Sequence, residues 1–218
     1  MRYSVLHALA VISGVVAEVH NIAVGRANGN PIFEPAMLNA TRGTSSSSSS
    51  SAPGNHTVTQ SSFAKPCEPA PGGFDSGWVQ LGSGAKRPSP TFNITITNSI
   101  EPIFFYCKQL SNPSGKPHCE LAMVGGINVG PEESASFAFK AQDATIVGQA
   151  QGGLPSTAFN AIATAYPVAM GSDQSVIIGP SDAPAATGAP TGKGSRDYVC
   201  VSGLFAGFVA VLAAAMML

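Results

Sequence analysis

The chain has 218 residues, a formal net charge of −1 at pH 7 and only 11% charged residues. Without an excess of positive charge, the sequence gives no sign of a nucleic-acid partner. Its 24 glycines and 17 prolines predict a chain divided by many turns and loops.

The N-terminus has the pattern of a secretory signal peptide, which we assign to residues 1–17. Arg2 supplies a short basic segment, and an apolar run follows from Val5 to Val16. The small residues of Val15-Val16-Ala17 form a cleavage pattern, so the mature chain is expected to start at Glu18. The alternative is a membrane anchor, but the apolar run is short for a span.

Short β-strands dominate the predicted structure of residues 18–147. Phe92 to Thr97 alternates strictly between apolar and polar residues, as a half-buried strand does. Ile103 to Cys107 is an apolar, aromatic-rich run of the kind found in buried strands, and Val19 to Val24 and Met123 to Val129 are weaker candidates. Strands at this spacing predict an all-β sandwich or small barrel.

One segment after these strands is ambiguous. In Pro131 to Ala144, Phe137 and Phe139 alternate as in a strand. Pro131-Glu132-Glu133, however, is a good start for a helix. The sequence alone leaves both readings open.

Residues 148–192 are rich in Gly, Ala, Ser and Pro and carry almost no charge. We interpret them as a disordered stalk that follows a single folded domain, residues 18–147. A short structured piece around Ala158 to Val168 is an alternative for part of this stretch.

The C-terminus has the order of a GPI signal: small residues, a polar spacer and a hydrophobic tail. We assign residues 193–218 to a propeptide that is removed on attachment. Gly192 is the preferred attachment residue and Gly188 the alternative. An ordinary C-terminal transmembrane helix is the competing interpretation.

Three sequons add to the pattern of an exported protein. Each of them, Asn39, Asn55 and Asn93, is followed at the second position by threonine and is a candidate for N-glycosylation.

The cysteine count predicts one unpaired cysteine in the mature chain. Cys200 lies in the predicted propeptide, which leaves Cys67, Cys107 and Cys119 in the mature chain. An odd number in an oxidising compartment implies that two cysteines pair and that one is free or does chemistry.

Residues able to bind a soft metal lie around one loop and one further strand. His118 and Met123 follow Cys107 across a loop, and His56 precedes another strand. Two imidazoles, a thiolate and a weak axial thioether are the ligands of a type-1 (blue) copper site. Taken singly, His56 is an ordinary strand residue, Met123 core packing and Cys107 a buried thiol. His20 receives no ligand role.

Three runs together resemble the fungal cell-surface cupredoxins, which are secreted, serine-rich and often GPI-anchored relatives of the plant phytocyanins. They are "NHTVTQSSFAKPCEPAPGGFDSG" from Asn55, "FNITITNSIEPIFFYC" from Phe92 and "HCELAMVGGIN" from His118. The resemblance covers about Val19 to Val129. It implies a Greek-key β-sandwich, one type-1 copper, a disulfide between Cys67 and Cys119, and a ligand set of His56, Cys107, His118 and Met123.

The chain departs from this family in the serine run, in Ala122 and in a longer loop between Cys107 and His118. The family has a strand before its first histidine ligand, and here Ser45 to Ser51 occupy its positions. Because serine buries little apolar surface, we expect the serines either to form a poor edge strand held by backbone hydrogen bonds or to loop out and leave the sheet short. Ala122 replaces the usual glycine before the axial ligand, which matters if that position has a positive φ.

These features predict an extracellular, GPI-anchored copper protein of the plasma membrane or cell wall that carries single electrons. Its expected partners are a redox protein or a cell-wall component. The alternatives are copper sequestration, or a structural surface module that binds copper weakly or not at all. The sequence lacks a nucleophile-elbow motif and the histidines of a multicopper oxidase, so we do not expect an enzyme.

Overall fold

A computed structural model describes residues 18–51, 53–85, 87–110, 115–149 and 160–177. All of them belong to one structural unit, residues 1–186. The predicted signal peptide, the attachment residues Gly188 and Gly192, Cys200 and the propeptide lie outside the described residues. Within the described ranges, no helix is long and apolar enough to cross a membrane.

The described chain is built from twelve short strands, one α-helix and one turn of 3₁₀ helix. The strands are β1 Val19–Val24, β2 Phe33–Glu34, β3 Met37–Leu38, β4 Ser45–Ser50, β5 Gly54–His56, β6 Thr59–Ser61, β7 Trp78–Leu81, β8 Thr91–Ile96, β9 Ile103–Tyr106, β10 Val124–Ile127, β11 Ala161–Ala165 and β12 Gln174–Ile177. The 3₁₀ turn is Cys119–Leu121 and α1 is Pro131–Gln142.

The strands form three sheets, in the orders β11-β8-β4-β1-β2, β3-β10-β9-β6 and β12-β7-β5. Ile22, Phe92 and Ile96 of the first sheet share one apolar core with Phe105 and Ile127 of the second. The predicted all-β sandwich is therefore confirmed. Because the chain passes back and forth between sheets, the ends of strands that are distant in sequence meet.

Both the stronger and the weaker strand predictions are confirmed, some with small shifts at the ends. β1 has the predicted bounds, whereas β8 begins and ends one residue early and β9 ends at Tyr106. In β8 the buried positions alternate, as the sequence pattern requires.

The ambiguous segment Pro131 to Ala144 contains the helix α1. It starts with proline in its first turn, beside Glu132 and Glu133, where carboxylates favour the helix dipole. Phe137 is fully buried against the second sheet, whereas Phe139 is 67% exposed. A helix separates these two phenylalanines by about 200° of rotation, which is why the apparent alternation was misleading.

The expectation that the serines form an edge strand or loop out is wrong. β4 lies in the middle of the first sheet, parallel to β1 and antiparallel to β8. Its alternate serines, Ser46, Ser48 and Ser50, are buried. The strand is held by backbone hydrogen bonds on both sides, which need no particular side chain, while β1 and β8 supply the large apolar residues of the core.

The prediction that residues 148–192 form a disordered stalk is wrong for two segments. β11 pairs with β8, and β12 pairs with β7. The alternative of a structured piece near Ala158 to Val168 describes β11, but β12 was missed. The folded domain therefore reaches Ile177 rather than ending at residue 147.

Candidate metal centre

Three predicted ligands converge at one end of the sandwich. The Cys107 Sγ atom lies 3.9 Å from His56 Nδ1 and 3.5 Å from His118 Nδ1. All three side chains are buried, and their ligand atoms lie within 4.8 Å of one another. No other histidine, cysteine or acidic residues in the described ranges form such a group.

These separations match the size of a metal site. Metal–nitrogen and metal–sulfur bonds of about 2.0 and 2.3 Å, at an angle of about 120°, place nitrogen and sulfur about 3.7 Å apart. The observed 3.9 and 3.5 Å bracket that value. Two imidazoles and one thiolate in a trigonal arrangement are the equatorial donors of a blue-copper site.

Each ligand is placed by the end of a strand or by a short turn. His56 is the last residue of β5 and pairs with Val79 of β7. Cys107 directly follows β9, and His118 directly precedes the 3₁₀ turn. The His118 N–H donates to the Gln109 carbonyl at 2.8 Å, which closes the loop between the two ligands.

Met123 closes the far side of the same loop. Its N–H donates to the His118 carbonyl at 2.9 Å, and its carbonyl accepts the Cys107 N–H at 3.1 Å. The side chain is fully buried in the core that contains Cys107. His56, Cys107, His118 and Met123 thus fit a single type-1 copper site.

Ala122 adopts the left-handed conformation, with φ 60° and ψ 30°. This is the position where the family that the sequence resembles has glycine, and glycine occupies that region without steric cost. Here an alanine accepts the strain so that the chain can turn from the 3₁₀ helix into Met123.

Burial sets the protonation of the ligands. It lowers the pKa of His56 to about 3, with a smaller contribution from the charge of His118, and it lowers the pKa of His118 to about 4. Both imidazoles are therefore neutral near pH 7, as metal ligands must be.

Cys107 must lose its proton to bind a metal, but its burial favours the neutral thiol. Burial raises its pKa to about 11, although backbone N–H groups of Gln109 and Thr57 favour the thiolate. The Thr57 N–H donates to Sγ at 3.4 Å. A thiolate enclosed in this way needs a cation beside it, and a bound metal supplies one.

A disulfide joins Cys67 to Cys119, next to His118. This is the pairing that the family resemblance implies. Cys107 is the free cysteine of the described residues. The unpaired cysteine that the cysteine count predicted is therefore the candidate metal ligand.

Sequence reasoning missed a buried ion pair beside the centre. Lys108 Nζ lies 2.5 Å from Asp75 Oδ2, with both side chains almost completely buried. Burial raises the pKa of Asp75 to about 6, against the opposing effect of Lys108. The one available signal was a lysine directly after the cysteine at the end of a buried strand.

The three sequons differ in exposure. Asn39 is exposed, whereas Asn55 and Asn93 are half-buried. The Oδ1 atoms of Asn55 and Asn93 are fully buried and have no hydrogen-bond partner. Glycosylation of each remains a prediction, and Asn39 is the most accessible.

Comparison with protein-family models finds no match, and comparison with curated proteins finds none either. Among solved structures, a plastocyanin from Dryopteris crassirhizoma is 16% identical, with a TM-score of 0.32 over 50% of this chain and 99% of its own. A purple cupredoxin from Nitrosopumilus maritimus is 17% identical, with a TM-score of 0.35 over 51% and 99%. At these scores, the fold assignment rests on the sheets and on the site, not on the matches.

Proposed function

We propose that this protein is a cupredoxin of the fungal cell-surface type, which binds one type-1 copper and carries single electrons. The observation that carries the proposal is the convergence of His56 Nδ1, Cys107 Sγ and His118 Nδ1 in a buried cluster. Bound there, copper would supply a one-electron couple between Cu(I) and Cu(II).

The chain's own residues supply a rigid, dry site. The ligands are buried, the Met123 backbone is hydrogen-bonded to both Cys107 and His118, and His56 is held by its pairing with Val79. The arrangement should therefore change little when the charge of the site changes. A ligand set that needs little reorganisation favours electron transfer over bond chemistry. The same ligands could hold copper for sequestration, and the two functions differ only in reversible redox cycling.

We further propose that the protein works outside the cell, attached through a GPI anchor at Gly192 or Gly188. The predicted signal peptide and C-terminal signal support this location. The Cys67–Cys119 disulfide also supports it, because such bonds persist in oxidising compartments.

A copper titration of residues 18–188 tests the copper site. We expect an intense thiolate-to-Cu(II) absorption band and a narrow copper hyperfine splitting in the EPR spectrum. Cys107→Ser and His118→Gln should abolish the band, whereas His20→Gln, at a half-exposed histidine outside the cluster, should retain it.

The outcomes separate the candidate functions. A band together with a reversible reduction wave supports an electron carrier, and a band without reversible cycling supports sequestration. A folded, β-rich protein with the disulfide intact but no band would refute copper binding and leave a structural surface module.

A further inference from the structure

We propose that the buried Lys108–Asp75 ion pair is a positioning and electrostatic element of the metal centre, which fixes the residue after the Cys107 ligand and adjusts the reduction potential of the site. This inference rests on the proposed copper function. It assigns roles to two charged residues that do not contact the metal cluster themselves.

The pair is enclosed on all sides. The Lys108 side chain is 1% exposed and the Asp75 side chain 4%. Lys108 Nζ also lies 5.3 Å from the centre of the Trp78 ring, within the range of a cation–π contact. The second carboxylate oxygen of Asp75 accepts the Gly77 N–H at 2.9 Å.

The backbone of Lys108 is linked to the ligand set through Thr57. Its N–H donates to Thr57 Oγ1 at 2.9 Å, and its carbonyl accepts from Gln149 Nε2 at 2.8 Å. Thr57 is the residue whose own N–H donates to the Cys107 sulfur. The ion pair therefore anchors the side chain of a residue whose backbone is already held beside the thiolate.

A contribution to folding stability does not by itself explain why an ion pair is buried here. Desolvating two charges often costs as much as their attraction returns, and apolar pairs of similar volume are frequently as stable. The other close pairs of acidic and basic side chains in the described ranges are Arg26–Glu34, Lys65–Glu68 and His20–Glu18, and each of them is at least partly exposed. The single buried pair among them lies beside the candidate thiolate ligand, where electrostatics act on the site.

The charges predict opposite effects on the reduction potential. An oxidised copper site carries one more positive charge than a reduced one. A nearby cation therefore raises the reduction potential and a nearby anion lowers it, most strongly in a buried environment of low dielectric constant. Removing the carboxylate charge should raise the potential where Lys108 stays protonated, and removing the lysine charge should lower it where Asp75 stays ionised. Because a buried group without its partner tends to lose its charge, the potential of each variant is measured as a function of pH.

The test compares Asp75→Asn, which has nearly the same shape, with Lys108→Met and Lys108→Arg in the copper-loaded protein. Redox titration should show a higher potential for Asp75→Asn, a lower one for Lys108→Met, and one near wild type for Lys108→Arg. Glu68→Gln and Lys65→Met, from an exposed pair, are matched controls that should leave the potential unchanged.

A second readout uses the metal-free protein. Trp78 is the sole tryptophan, so its fluorescence reports the environment above the ion pair. Lys108→Met should shift the emission, whereas the control variants should not. If Lys108→Met fails to fold, the reduction potential of Asp75→Asn alone decides the test.

The outcomes distinguish this inference from the proposed function. If wild type forms no blue-copper band, the copper function fails and this inference fails with it. If wild type forms the band but Asp75→Asn leaves the potential unchanged or lowers it, the inference is overturned and the copper function stands. A purely structural role would give both single variants shifts of the same sign, or none.

Discussion

The central serine strand makes a sharp prediction about stability. Ser46 is 1% exposed, and its hydroxyl is buried without a hydrogen-bond partner. A buried, unpaired polar group costs about 1–3 kcal/mol of folding free energy. Ser46→Ala removes the hydroxyl and leaves the backbone pairing of β4 intact, so it should stabilise the domain by about 1–2 kcal/mol.

The assay is unfolding of the metal-free domain by urea and by heat. For a domain of this size, about 1 kcal/mol shifts the melting temperature by about 2–4 °C, so the expected rise is about 2–8 °C. Ser47→Ala, on the half-buried face of the same strand, should change stability by less than about 0.5 kcal/mol. A fall in stability for Ser46→Ala, or equal effects for both variants, would refute the reasoning.

Three further predictions concern the metal loop and its surroundings. Ala122→Gly should stabilise the protein by about 1 kcal/mol, because glycine removes the left-handed strain; denaturant melts showing no gain would contradict this. Replacing Cys67 and Cys119 by alanine should cost about 4 kcal/mol, since the bond spans 52 residues; a melting temperature equal to that of wild type would count against it. Between pH 7 and pH 4, the free energy of unfolding of the metal-free protein should fall by several kcal/mol. The folded-state pKa values of His56 and His118 lie below those of the unfolded chain. The unfolded chain therefore takes up protons as the pH falls below about 6.5, and this favours unfolding. The buried carboxyl of the ion pair opposes this loss, since its raised pKa favours the folded state at low pH. Urea unfolding at both pH values measures the difference, and a flat profile would refute it.

The ligands were predictable because their signals are local and chemical. A free cysteine at the end of an apolar strand, followed across a loop by histidine and methionine, is unusual enough to interpret from the sequence. The alternation in β8 likewise reports its burial directly. Both predictions depend on residue types that the sequence displays.

The features that were missed depend on partners distant in sequence. Lys108 looks like an exposed charge until Asp75, 33 residues away, is placed against it. β12 has only four residues in a polar region, and it becomes a strand because β7 offers it an edge. β4 was expected at an edge because serine buries little apolar surface, and its central position depends on pairing with β1 and β8, which its own residues do not reveal.

The serine strand is also compatible with the metal centre in a way that its composition does not suggest. No ligand lies on β4, since His56 ends β5 and the other three lie in the segment between β9 and β10. Ser48 and Ser50 nevertheless line a small pocket of about 10 Å³ together with His56 and Ser76. Such a space holds at most one water. Larger side chains at Ser48 or Ser50 would therefore press on His56, whereas Ser46 lies farther along the strand and does not line the pocket. Small side chains are needed at Ser48 and Ser50, beside the candidate ligand His56, but not at Ser46. For this reason we expect the stabilising substitution at Ser46.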